Sequence, residues 1–329
     1  MKILIIQTAF IGDVILATPL IEKLHQFYPG AQIDFLLKKG HESLFDQHPY
    51  LRKVMVLEKG ENKYRNIQAL IQNIRKENYN WVINVHRFFS SGLITAFSGA
   101  KVRIGFDKNP LSFFYTHKVK HQIDAQDVDN HEVKRNLALI TPFTDANFVK
   151  PKLHPQSPDF LKIQPQEPYI CIAPASVWFT KQYPAERWVE LIDGYTDRYA
   201  VYLLGGKGDL ALCESIQAKC KAKKVHIAVG QLSFLESAAL MSKASMNFVN
   251  DSAPLHLASA MNAPVTAIFC ATTPAFGFGP LSDVSQTVET TEKLDCKPCN
   301  LHGKTACPQG HFKCSHISAA QIMEAAQLG

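Results

Sequence analysis

Short apolar runs alternate with helix-forming stretches along this chain; the alternation stops once and then begins again. Residues 2–6, 33–37, 54–57 and 81–85 are apolar runs of strand length, of the kind a parallel sheet covered on both faces requires. Between them, residues 13–27 read as one helix stopped by Pro29-Gly30. Residues 64–76 read as an amphipathic helix with Ile67, Leu70, Ile71 and Ile74 on one face. Residues 141–168 break the pattern with Pro142, Pro151, Pro155, Pro158, Pro165 and Pro168, which predicts a connection with an edge segment and no helix. Strand-like runs then return at 169–173, 200–204, 225–228, 244–249 and 265–269, with helices expected at 185–195, 210–219 and 233–242. The expectation is an α/β protein of two domains, 1–160 and 161–329, facing across a cleft, with ligands at the carboxyl ends of the strands.

Composition agrees with that class. At 329 residues, 46% hydrophobic and 19% charged, the chain has the length of two average domains and the make-up of a core-forming protein. No apolar run reaches the roughly 20 residues of a membrane span. The opening Lys2 and Ile3–Ile6 could start a signal peptide, but Gln7, Gly12 and Asp13 interrupt it; a buried first strand, in a cytoplasmic protein, is the better reading. Residues 1–160 hold 21 Lys and Arg against 15 Asp and Glu and carry the whole surplus of +6, the rest being balanced at 14 against 14. An anionic partner is therefore expected on the first half. The excess is too small, and the motifs are missing, for nucleic acid.

Four places could carry chemistry. Asn250-Asp251-Ser252-Ala253-Pro254-Leu255-His256 follows a strand and opens a helix. Asp251 or Ser252 is expected to cap it, Pro254 suits its first turn, and its N–H groups would receive an anion. Ser176 and Lys181, in the loop after the strand at 169–173, offer a hydroxyl and a point charge for phosphate. Gly12-Asp13, after the first strand, reads either as a turn glycine with an N-cap or as a general base. Glu236 is either a first-turn glutamate complementing a helix dipole or a ribose contact. The tail adds Cys296, Cys299, Cys307 and Cys314 with His302, His311 and His316 between and beside them; a structural zinc site, disulfides and free thiols all remain open readings.

In this order along the chain, the segments Ile6–Pro19, Ala175–Pro184, Leu235-Glu236 and Asn250–His256 resemble the ADP-heptose:lipopolysaccharide heptosyltransferases, glycosyltransferase family 9. The likeness runs to about residue 280, and the cysteine-rich tail is similar to that of members near the second heptosyltransferase of the pathway. The resemblance implies a GT-B fold of two Rossmann-like domains, the first for the acceptor and the second for ADP-heptose. It implies an inverting, single-displacement transfer to the lipopolysaccharide inner core, with no cofactor and no metal required. By motif, Asp13 becomes the base, and Lys181 and Ser176 bind the diphosphate. Glu236 contacts the ribose, and Asp251, Ser252, Ala253 and His256 form the phosphate cradle. Ala253 departs from the commoner glycine, and Gln182-Tyr183 from the commoner Arg-Trp. Acceptor contacts are proposed only by charge and region, at Gly12, Lys59, Lys63, Arg65 and Arg87. The acceptor is a lipid-linked anionic oligosaccharide, met peripherally at the inner membrane. Two rival readings are another GT-B sugar-nucleotide enzyme and a non-catalytic sugar-nucleotide-binding protein. A dinucleotide dehydrogenase is disfavoured, since neither half has a Gly-x-Gly-x-x-Gly turn.

Overall fold

The computed structural model describes residues 1–328 apart from 59, 61, 124–130, 196 and 197. It divides into two compact units, one of Met1–Ile123 and Glu132–His154, the other running from Pro155 onward and joined by His131.

The first unit is built in the order β1 (Lys2–Ile6), α1 (Ile11–Leu16), α2 (Thr18–Phe27), β2 (Gln32–Lys38), β3 (Leu51–Leu57), α3 (Lys63–Glu77), β4 (Trp81–Asn84), α4 (Phe89–Ala96), β5 (Val102–Phe106), β6 (His117–Val119) and α5 (Glu132–Ala138). Its six strands lie in the order β3-β2-β1-β4-β5-β6, and all the pairings are parallel. Ile3 to Ile6 are fully buried in the centre of the sheet, as a strand covered on both faces demands. The helix expected over 13–27 is two helices. Pro19 has no N–H to bond Ile15, so the Thr18 hydroxyl donates to the Ile15 carbonyl at 2.8 Å and the chain turns at Ala17. Residues 141–168 contain two short 3-10 turns and no strand.

The second unit repeats the plan: β7 (Tyr169–Ala173), α6 (Ala185–Gly194), β8 (Ala200–Leu203), α7 (Leu210–Lys219), β9 (Val225–Ile227), α8 (Phe234–Lys243), β10 (Met246–Asn250), α9 (Ala253–Ala260), β11 (Val265–Phe269), β12 (Ser285–Glu289) and α10 (Ala319–Ala326). The strand order β12-β11-β10-β7-β8-β9 is the first unit's order with the numbering begun afresh. The core beneath it centres on Trp188, Leu191, Ile192, Val201, Phe248 and Ile268. In each sheet the strand order reverses beside the unit's first strand, between β1 and β4 and between β7 and β10. In open α/β sheets, ligands bind at that point, at the carboxyl ends of the strands.

Candidate active-site groups

In the second unit, the loops after β7 and β10 meet at the reversal point. Asn250, the last residue of β10 and fully buried, ties them together. Its Oδ1 accepts the Tyr183 amide at 3.0 Å and its Nδ2 donates to the Pro174 carbonyl at 2.7 Å. The tie fixes both ends of the segment that carries Ser176 and Lys181. Lys181 Nζ lies 2.7 Å from Asp251 Oδ2, and the same oxygen accepts the Thr272 hydroxyl at 2.6 Å. Asp251, one of the two expected caps of α9, therefore holds the lysine instead. Ser252 occupies the N-cap position, but its side chain makes no capping bond; its hydroxyl stands 3.5 Å from the carbonyls of Ala175 and Asn250. With Ala253 and Pro254 opening α9, the first turn of the helix is left without a side-chain acceptor, the condition under which helix N–H groups can take an anion. His256, one turn in, is buried with Nδ1 lacking a hydrogen-bond partner. Burial, with help from His131 and Lys181, pushes its pKa down to about 3, so the ring is neutral at any physiological pH.

The cysteine-rich tail supports this loop. The Thr180 hydroxyl accepts the Lys304 amide at 2.8 Å, and the Thr180 amide donates to the Lys304 carbonyl at 3.1 Å. Gly303, at φ +82°, packs on the lysine stem; a Cβ there would lie 2.8 Å from Lys181 Cγ. The four tail thiols are unlinked. Burial, then Cys299, pushes Cys314 up to about 11. Cys296 Sγ lies 3.9 Å from His311 Nε2. Among the described residues, the group with three metal-type ligand atoms within 4.8 Å of one another is Glu22, His48 and His154, in the first unit. There His48 Nδ1 accepts the Tyr50 amide at 3.2 Å. The neutral ring must then carry its proton on Nε2, the wrong tautomer for a ligand through that atom.

Glu236 lies in the first turn of α8. Its Oε2 accepts the Ser233 amide at 2.6 Å while the Ser233 hydroxyl accepts the Glu236 amide at 3.1 Å, a reciprocal cap of α8. Lys162 approaches the other oxygen at 3.9 Å.

In the first unit, Asp13 lies in the first turn of α1, just past β1, and Phe10, not Gly12 or Asp13, is the N-cap. Burial, reinforced by the charge of Glu132, raises the Asp13 carboxyl to about 7, against the backbone N–H of Phe10 and the charge of Arg87. Glu132 is buried in α5 and paired with Arg135 at 2.6 Å. Arg87 follows β4, directly across the strand reversal from Asp13. Its loop is pinned by Asn109, whose Nδ2 donates to the carbonyls of His86 and Phe88 at 3.2 and 3.1 Å. Gly92 leaves room for that amide, since a Cβ would collide with Asn109 Oδ1. His121, also near Arg87, is buried and pushed down to about 4, by burial first and the arginine second. Of the other expected acceptor contacts, Lys63 begins α3 with its ammonium 5.7 Å from the Tyr64 ring centroid, and Arg65 is exposed on the same helix. Both follow β3, two strands away from β1, and the structure does not gather them with Asp13. Lys59 lies outside the described residues.

Sequence reasoning passed over Asn250 as a tie, along with Thr272, Glu132, Asn109 and Gly303. Asn250 opens the Asn250–His256 motif and Gly303 sits beside His302 in the tail, yet nothing in their local sequence names a partner.

Residues 67–307 match the model of glycosyltransferase family 9 (heptosyltransferase). Lipopolysaccharide heptosyltransferase 3 of Escherichia coli is 28% identical over 283 residues, spanning 81% of this chain and 83% of that protein. The structure of E. coli ADP-heptose lps heptosyltransferase II superposes with a TM-score of 0.81 at 20% identity, covering 99% of this chain and 98% of that one. That of E. coli heptosyltransferase WaaC with ADP-2-deoxy-2-fluoro heptose does so at 0.74 and 19%, covering 98% of each.

Proposed function

The chain belongs to glycosyltransferase family 9, the heptosyltransferases, and on that premise we propose that it moves L-glycero-D-manno-heptose from ADP-heptose to the inner core of lipopolysaccharide with inversion at the anomeric carbon. The observation that carries this reading is the Lys181–Asp251–Thr272 group in front of the uncapped α9, an ammonium group beside a helix end whose N–H groups can take a phosphate. An acceptor hydroxyl oxygen attacks the anomeric carbon as the bond from that carbon to the β-phosphate oxygen breaks, and Asp13 takes the hydroxyl proton. A carboxyl near 7 is matched to that task, since a base works best with a pKa close to the working pH. The departing ADP gains negative charge on the phosphate, and Lys181, Ser176, Ser252, the Ala253 amide and the neutral His256 ring supply fixed donors where it develops. Asp251 holds Lys181 in place. Glu236 meets the ribose through the oxygen that the Ser233 amide leaves free. Arg87 and Gly12, beside Asp13, take the anionic acceptor. The acceptor is lipid-linked, so the enzyme works in the cytoplasm at the inner face of the membrane.

The test is a transfer assay with ADP-heptose and a series of truncated core acceptors, read by mass and by the anomeric configuration of the product. Heptose joined with inverted configuration to one acceptor of the series supports the reading and identifies which sugar is extended. ADP protecting against thermal unfolding more than UDP supports the donor. Donor binding without transfer to any acceptor would move the protein to the non-catalytic alternative.

A further inference from the structure

Away from Asp13, the first unit carries an aromatic cluster that its core does not use. Phe113 is 68% exposed, Phe97 48% and Phe114 39%. The rings form one group, with centroids 4.4 Å apart for Phe113–Phe114 and 5.8 Å for Phe97–Phe114. They stand on fixed backbone. Arg103 donates from Nε to the Phe114 carbonyl at 2.9 Å and from Nη1 to the Ala100 carbonyl at 2.6 Å. One guanidinium thus locks the turn bearing Phe113 and Phe114 to the corner bearing Phe97. Beneath them Tyr115 is buried, accepting the Asn84 side-chain amide at 2.8 Å. Large apolar side chains held rigidly in water mark a contact surface.

Charge identifies what it contacts. Residues 101–120 contain Lys101, Arg103, Lys108, Lys118 and Lys120 against the single acid Asp107, which accepts the His121 amide at 2.9 Å. The four lysines are exposed, and none has a carboxylate within ion-pairing distance among the described residues. Lys101 leads into β5, two residues before the Arg103 that holds the turn, and Lys118 lies in β6, four residues after Phe114. No described helix is long and apolar enough to cross a membrane. We propose that Phe97, Phe113 and Phe114, with the exposed lysines of the same β5–β6 segment, dock the first unit on an anionic phospholipid surface, the rings entering the interface and the ammonium groups meeting phosphate. The proposal deepens the reading above, under which the acceptor is lipid-linked. Vesicle binding is measured without acceptor or donor, so either idea can fail alone.

The experiment is co-sedimentation with phosphatidylethanolamine–phosphatidylglycerol vesicles, with phosphatidylcholine vesicles as the neutral control. Wild type binds the anionic vesicles, and added salt weakens the binding. Phe113→Ser with Phe114→Ser lowers the partition about tenfold or more, and Lys101→Gln and Lys118→Gln lower it about fivefold each. All these variants keep wild-type turnover of a water-soluble truncated acceptor and lose turnover of acceptor embedded in vesicles. The proposal is overturned if wild type does not sediment with anionic vesicles, if it binds neutral ones equally, or if the serine variants bind like wild type. It is also overturned if the serine substitutions convert a dimer to a monomer in solution, for the cluster is then a contact between copies of this chain.

Discussion

The two units share one strand order and one place for chemistry, yet they set opposite groups there. At the reversal point of the first sheet stands a carboxyl that burial and Glu132 have raised to about 7. At that of the second stands Lys181, held by Asp251 at 2.7 Å, before a helix end with no side-chain cap and a histidine pushed down to about 3. The difference teaches that this topology supplies a location and no more. Two or three side chains at the strand ends decide whether the location moves a proton or receives an anion. On the proposed function, the first unit serves the proton and the second the leaving group.

Substitutions that remove one half of this division should break it unequally. Asp13→Asn has the largest expected effect: kcat for heptose transfer falls about 10²–10⁴-fold, measured at saturating donor and acceptor. Asp251→Asn removes the charge that holds Lys181 and should cost about tenfold to a hundredfold in kcat/KM for the donor, with thermal stability reported alongside. Glu132→Gln sharpens the comparison from the other side. Without the neighbouring negative charge the Asp13 pKa falls, and loss of the partner of Arg135 acts in the same direction. The base then stays ionised to lower pH, so the acidic limb of the kcat/KM profile moves from about 7 to a lower pH while the plateau holds. Smallest is Gly303→Ala, which strains a backbone at φ +82° and presses on the lysine stem; a few-fold weaker donor KM is expected, with acceptor KM unchanged.

The central strands of both sheets were legible because they carry continuous apolar runs, as Ile3–Ile6 and Tyr169–Ala173 illustrate. The sheet margins were not. β6 has three residues, two of them exposed. β12 reads Ser-Gln-Thr-Val-Glu with one buried position, and β5 is interrupted by Arg103 and Gly105. α4, rich in Ser, Thr and Gly, lacks the polar–apolar contrast that marks α3. The break at Ala17 was hidden because Pro19 is tolerated in the first turn of a new helix as readily as it ends an old one. At the site, Asp13, Lys181 and His256 stood out because their local motifs name a chemistry. Thr272, 21 residues beyond Asp251, and Glu132, far along the chain from Asp13, did not, because what defines them is a partner that only folding brings near. The cap of α9 was half legible for the same reason: Ser252 holds the N-cap position without a capping bond, and Lys181 and Thr272 claim Asp251.

The proposed division of labour is tested most directly by titrating ADP into Asp13→Asn and Lys181→Met and following the heat. The account predicts that Asp13→Asn binds ADP within about twofold of wild type, and that Lys181→Met binds it about tenfold or more weakly, as loss of a charge-assisted contact implies. Equal weakening in both variants, or tight binding retained by Lys181→Met, would contradict it.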